Sequence, residues 1–170
     1  MKNFSGAFIL VTLAIGIAPL PQLAMKLSPI HVTVQIFEIV DCKTSHDPGM
    51  TLRGTETRYC FASKAIVNET QIESASVWVS EYDPKPGLRL KFKPEGAAHL
   101  RETSTRLVAR TDGPGQLGFV VNGKLVSVAT VRDIFGADVV VANAFDAEEC
   151  QQLAATLNAQ AQQVRNKHQK

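Results

Sequence analysis

Three cysteines, four histidines and sixteen carboxylates are the side chains here with the chemistry to bind a metal or attack a substrate. The densest gathering is Asp41, Cys42, His46 and Asp47. Oxygen, sulfur and imidazole donors that close together would suit a metal-assisted hydrolase. No second histidine sits nearby at ligand spacing, however, and the usual zinc spacings are absent. Cys150 and His99 offer a thiol and a base, the pair a nucleophilic enzyme needs, but nothing in the sequence brings them together. The run Gly113-Pro114-Gly115-Gln116-Leu117-Gly118 satisfies G-x-G-x-x-G. It follows a helical pattern and opens a strand, the reverse of the order a dinucleotide site requires, and so reads as a helix stop and turn. There is no G-x-S-x-G, and Asp83, Asp112 and Asp133 fall in turns where capping accounts for them. No catalytic, cofactor-binding or metal-ligating residue is assigned, and a non-enzyme is expected. A small exported hydrolase or metal-dependent enzyme built on Asp41, His46 and Asp47 is the alternative, and a structural component of envelope assembly is a second.

The cysteines also report on compartment. Cys42 and Cys60 bracket a polar, turn-rich loop containing Asp47-Pro48-Gly49. A bridge between them would stabilise the fold by about 3 kcal/mol by constraining the unfolded chain, and export to an oxidising compartment would form it. Export is itself legible. Lys2 precedes an uncharged apolar run over residues 7–18, and Pro19 and Pro21 end it, the pattern of a signal peptide over residues 1–24. An uncleaved anchor over residues 3–25 is the alternative reading. The expected location is therefore periplasmic or secreted, with membrane contact only through that segment. Cys150 is left unpaired on the stripe of the last helix, where a small buried hydrophobe is expected. A net charge of +2, with few and scattered aromatics, provides no footprint for nucleic acid.

The elements that would position these residues are well marked. Asn122-Gly123 between two β-branched runs signals a two-residue hairpin, with Val121 facing Lys124, Phe119 facing Val126 and Leu117 facing Val128. Residues 31–40 alternate as a strand with Val32, Val34 and Ile36 on one face, and residues 58–62 form a short second strand. A short helical turn is expected over residues 69–75, capped by Asn68 or Thr70, then a strand through Trp78, which reads as a core or sheet-edge packing residue. Leu88, Leu90 and Phe92 face inward on the answering strand.

Pro94 starts a helix whose stripe is Ala97, Leu100, Ser104, Leu107 and Val108, with Glu102 and Arg106 paired outside. Residues 130–136 form a turn or short helix, and residues 138–143 a further strand. Asp146 and Glu149 form a capping box for a final helix striped by Cys150, Leu153, Ala154, Leu157, Ala161 and Val164. The fold expected is α+β: a ferredoxin-like, mostly antiparallel sheet with two main helices on one face, plus an N-terminal strand and the disulfide-closed loop. Residues 88–92 and 138–143 would neighbour the hairpin. One domain is expected over residues 30–160 and a basic tail over 161–170.

Several stretches then share a family pattern. Leu88-Arg89-Leu90-Lys91-Phe92 with Pro94-Glu95-Gly96-Ala97, the hairpin from Gly118 to Ser127, and Val141-Ala142-Asn143-Ala144-Phe145-Asp146 occur in the order found in the head of the first periplasmic domain of SecD and SecDF export subunits. The resemblance covers about residues 58–159. Ala129 stands where that family has proline, and Asn143 where it has glycine. What the resemblance implies is a binding module that contacts polypeptide or an envelope protein. It implies no catalytic residue and no cofactor. The resemblance does not extend to the membrane part or base of SecD, so it does not imply proton-driven export.

Overall fold

The structure, a computed structural model, describes residues 31–45, 48–82 and 84–168. The segments expected as signal or anchor, together with His46, Asp47 and Asp83, lie outside the described residues. In chain order the elements are β1 (Val34–Val40), β2 (Met50–Thr51), β3 (Arg58–Phe61), β4 (Val67–Asn68), a 3-10 turn (Glu69–Gln71), β5 (Ile72–Val79), β6 (Pro86–Phe92), α1 (Pro94–Val108), β7 (Gln116–Val121), β8 (Lys124–Thr130), β9 (Asp138–Ala142) and α2 (Ala147–His168).

The α+β class stands, with antiparallel pairing throughout, but the strands divide between two sheets. One has the order β2-β3-β1-β7-β8 with β4 also on β1, and the other is β5-β6-β9. The expected hairpin neighbours are therefore corrected. β1 takes the open side of the hairpin because its Val34 and Ile36 match Val121 and Phe119 of β7 residue for residue. β6 has no free edge to offer, since β5 and β9 occupy both its sides. Val34, Ile36, Leu88, Leu90, Leu117, Phe119, Val139 and Val141 meet in one core, closed by Leu100 and Leu107 of α1 and by Cys150, Ala154 and Leu157 of α2.

The turn forms as the sequence predicts. Asn122 and Gly123 both have positive φ, +50° and +73°, the geometry Asn-Gly tolerates. Asn122 also ties the turn to the start of β1: its N–H donates to Thr33 O at 2.9 Å, and its Oδ1 accepts the Thr33 N–H at 3.0 Å. The expected register fails one residue further on. After Val121 faces Lys124 and Val120 faces Leu125, a bulge brings Phe119 opposite Ser127 and Leu117 opposite Ala129. Leu125 and Val126 bury on opposite faces, as strand neighbours do, and the extra residue moves Val128 from its expected place opposite Leu117 to one opposite Gly118, on the face of the second cluster. Val126 joins the main core, while Leu125 joins Val120 and Phe61 in a second cluster on the other side of the sheet. The disulfide loop closes over that cluster. Arg53 N–H donates to Leu125 O at 2.9 Å, and Gly118 leaves room for the Phe61 ring, which would lie 2.7 Å from a Cβ there.

Cys42 and Cys60 are bridged, with Cα atoms 5.0 Å apart. Cys150 is free and fully buried. The short helical turn is only Glu69–Gln71, capped by Asn68. β5 starts at Ile72 because that residue buries opposite Phe92. On α1, Leu100, Ser104 and Leu107 are buried as expected, but Val108 is exposed at the helix end. Arg106 reaches Glu38 on β1, Nη1 donating to Oε1 at 3.0 Å, in place of the expected pairing with Glu102. Residues 131–136 form no helix.

α2 continues through His168, so most of the expected tail is helical. Its capping box forms as read: Glu149 N–H donates to Asp146 Oδ1 at 2.8 Å, and Asp146 N–H to Glu149 Oε2 at 3.2 Å. Along its flanks two amides hold strand backbone. Asn158 Oδ1 accepts the Ala75 N–H at 2.9 Å and its Nδ2 donates to Ala75 O at 2.8 Å. Gln160 does the same for Val32, at 3.0 and 3.2 Å.

Two outcomes follow. Replacing both bridged cysteines by alanine lowers the unfolding free energy in urea by about 3 kcal/mol, and in the unreduced wild type one thiol, that of Cys150, reacts only on unfolding. Asn158→Ala strands both Ala75 groups and lowers stability by about 1–3 kcal/mol in the same assay.

Candidate functional site

The main groove lies between the hairpin tip and the first turns of α2. It has two lobes of about 830 and 570 Å³, and Arg53, Val126, Phe145 and Glu149 line both. Val32, Val121 and Leu153 extend its apolar wall in the larger lobe, and Lys85, Pro86 and Asn143 frame the smaller one. Asn143 adopts φ +58°, a left-handed conformation that turns the chain from β9 toward α2 and sets Phe145 into the wall. The N-terminal end of α2 thus faces a hairpin whose position is set by β1 and by the Asn122 contacts.

An ion pair crosses between the lobes. Arg53 Nη2 donates to Glu149 Oε1 at 2.9 Å, and Nη1 donates to Glu149 Oε2 and to Ala144 O, both at 3.3 Å. The hydrogen bond from Arg53, assisted by the Asp146 N–H, holds the Glu149 carboxyl below the usual carboxylate range. The same hydrogen bond raises Arg53. A carboxylate held down in this way is a poor general base, and Asp146 is engaged in capping the helix. The groove offers an apolar wall with a charged rim, which suits binding of an apolar segment by shape and desolvation.

The residues singled out from the sequence lie elsewhere. Asp41 organises its own turn: its Oδ1 accepts the Lys43 N–H at 2.9 Å and its carbonyl accepts the Thr44 N–H at 3.0 Å. Cys42 is spent in the bridge. His99 is exposed on α1 with Nδ1 3.4 Å from Gln71 Nε2, whereas Cys150 is sealed in the core, where burial pushes its thiol pKa up. The structure does not bring them together as nucleophile and base. Gly115 follows α1 and packs so tightly on Leu107 that a Cβ there would lie 2.5 Å from Cδ2, in keeping with a turn. Trp78 pairs across from Gly87 at the sheet edge and is half-buried. Sequence reading missed the groove itself. Its one local signal was the Asp146/Glu149 box, which marks a helix start whether or not a groove adjoins it.

Residues 44–164 match the family described as SecDF, P1 head subdomain. Two solved structures share the fold. One is described as "Structure and function of a membrane component SecDF that enhances protein export" and is 17% identical with a TM-score of 0.56; the similarity covers 75% of this chain and 62% of that one. The other, "Crystal structure of SecDF in Super-membrane-facing form", is 16% identical with a TM-score of 0.56, over 75% of this chain and 18% of that one. This chain thus spans less than two thirds of either. No curated protein matches the sequence. Among the described residues no helix is long and apolar enough to cross a membrane.

Because the folded Glu149 pKa is depressed, its contribution to stability is fully present above the unfolded value of about 4.3 and is lost as pH falls through the lower folded value. Glu149→Gln keeps an acceptor for the Asp146 N–H but removes that dependence. Urea midpoints of wild type and variant therefore differ at neutral pH and converge in acid; a constant gap across the range would show that the ion pair is not its source.

Proposed function

Because the chain belongs to the SecDF P1 head subdomain family, we propose that it is an exported, non-catalytic module that binds polypeptide in the groove between the β7-β8 hairpin and α2. The family relationship supports an export-related module. The observation that carries the finer reading is the groove's chemistry: an apolar wall of Val121, Val126, Phe145 and Leu153 under a rim of Arg53, Lys124 and Glu149. Such a surface accepts apolar side chains from an unfolded segment without demanding a particular one. Its carboxylates are engaged in capping and ion pairing, which argues against acid–base work. Export is supported by the N-terminal signal pattern and by the Cys42–Cys60 bridge, which an oxidising compartment maintains.

Site-specific cross-linking tests this. A photoreactive phenylalanine analogue at Gln152, on the groove rim, is expected to label reduced, carboxymethylated lactalbumin but not the folded form of the same protein. The same group at Arg101, on the exposed face of α1, serves as background. Labelling from position 152 no greater than from position 101 would overturn the reading.

A further inference from the structure

Three of the five large hydrophobic side chains that the described surface exposes lie in one short stretch: Val77 at 36%, Val79 at 61% and Tyr82 at 95%. The first two belong to β5, an edge strand paired only with β6. The direction of the β5 main chain is fixed by Asn158. Ala75 gives both its N–H and its C=O to that amide, so Ala75 faces away from β6. Alternation along a strand then points the N–H and C=O of Val77 and Val79 to the same open side. Pro86, opposite Val79, fits this pattern, because a pair that exchanges no ladder bonds makes no demand on its missing N–H.

α2 covers part of this edge. Asn158 takes Ala75, and Arg165 Nη2 donates to Glu73 O at 2.7 Å. Beyond Ala75, among the described residues, nothing bonds the outward groups of Val77 or Val79. A row of unsatisfied main-chain donors and acceptors beside exposed valines is a template for strand addition. We infer that an extended polypeptide segment, apolar at alternate positions and basic where it passes Glu81, adds to β5 at Val77 and Val79. This rests on the polypeptide reading above and supplies its binding mode.

Charge and register select that occupant. Glu81 is exposed at the open end of the edge and has no partner among the described residues, so a cation suits it. A second copy of this chain fits poorly. Antiparallel self-pairing centred on Val77 would set Val79 against Ala75, whose groups Asn158 already holds, and Glu73 against Glu81. Centred on Val79, it would set Val77 against Glu81. Like charges, or a charge against a valine, disfavour both registers; the intermediate register, centred on Trp78, sets Val77 against Val79 but brings Glu81 onto Ala75, whose groups Asn158 already holds. The edge also adjoins the groove, because Pro86, the cross-strand partner of Val79, lines its smaller lobe.

The only tryptophan of the chain, Trp78, lies between the two valines and reports on the edge directly. The purified protein is titrated with a short peptide of alternating valine and threonine ended by lysines, following Trp78 emission. Saturable binding is expected. Methylating alternate peptide nitrogens, which removes the donors facing Val77 and Val79, weakens binding about a hundredfold, and Val79→Pro, which removes one outward N–H, about tenfold, roughly the worth of one net hydrogen bond. Glutamate in place of the terminal lysines weakens binding as well. The methylated peptide makes the same test without altering the protein, whatever Val79→Pro does to folding. No saturable binding, equal binding of parent and methylated peptides, or concentration-dependent dimers abolished by Val79→Pro would overturn the proposal. If position 152 still cross-links unfolded lactalbumin in that event, only the edge is wrong; if it does not, the polypeptide reading falls too.

Discussion

Asn158 and Gln160 are two residues apart on α2, so their side chains leave the helix about 200° apart, on opposite flanks of its buried stripe. Each amide gives one donor and one acceptor to the main chain of a single residue: Ala75 in one sheet, Val32 just before the central strand of the other. Between them Ala154 and Leu157 bury into the shared core. Two small sheets that exchange no ladder bonds are thereby held to one helix by hydrogen bonds as well as by packing. Without those amides both strand ends would carry unsatisfied backbone groups beside the core, at a cost of about 1–3 kcal/mol for each group left buried and unpaired.

The same helix frames the groove and part of the β5 edge. Its first turn holds Glu149 against Arg53, which anchors the disulfide loop. Its later turns cap β5 at Ala75 and Glu73 and go no further along the edge. The Cys42–Cys60 bridge matters to the groove for this reason. Arg53 lies inside the loop that the bridge closes, and its N–H is also fixed to Leu125 of the hairpin. One loop therefore touches the hairpin through its backbone and α2 through its side chain, and the width of the groove depends on both contacts.

Local features of the fold were legible because local chemistry sets them. Asn122-Gly123 admits few turns other than the one found, Asp146 and Glu149 cap reciprocally within four residues, and Pro94 opens α1 where its missing N–H costs nothing. Strand partnership was not legible. Val34 and Ile36 present the same alternation that β6 and β9 present, and nothing local says which ribbon will take the hairpin's open side. The bulge escaped for a related reason: it turns Val128 toward the second cluster, which is assembled from Phe61 and Val120, far apart in the chain. Nothing near Gln160 in the sequence marks its role, because its partner, Val32, is 128 residues away.

The candidate site was illegible for the same reason, carried further. Its wall comes from β7, β8, the turn after β9 and α2, and each contributes residues that look like ordinary core in their own segment. Conversely, the cluster that did stand out in the sequence, around Asp41 and Cys42, owes its composition to a turn and a disulfide, two structural uses that favour the same residue types as metal sites. In a chain of this kind, a polar cluster close in sequence says little about function until its local hydrogen bonds are accounted for. An apolar surface assembled from distant segments says more, and so does the separate main-chain edge of β5, left open beyond Ala75 beside the exposed Val77 and Val79.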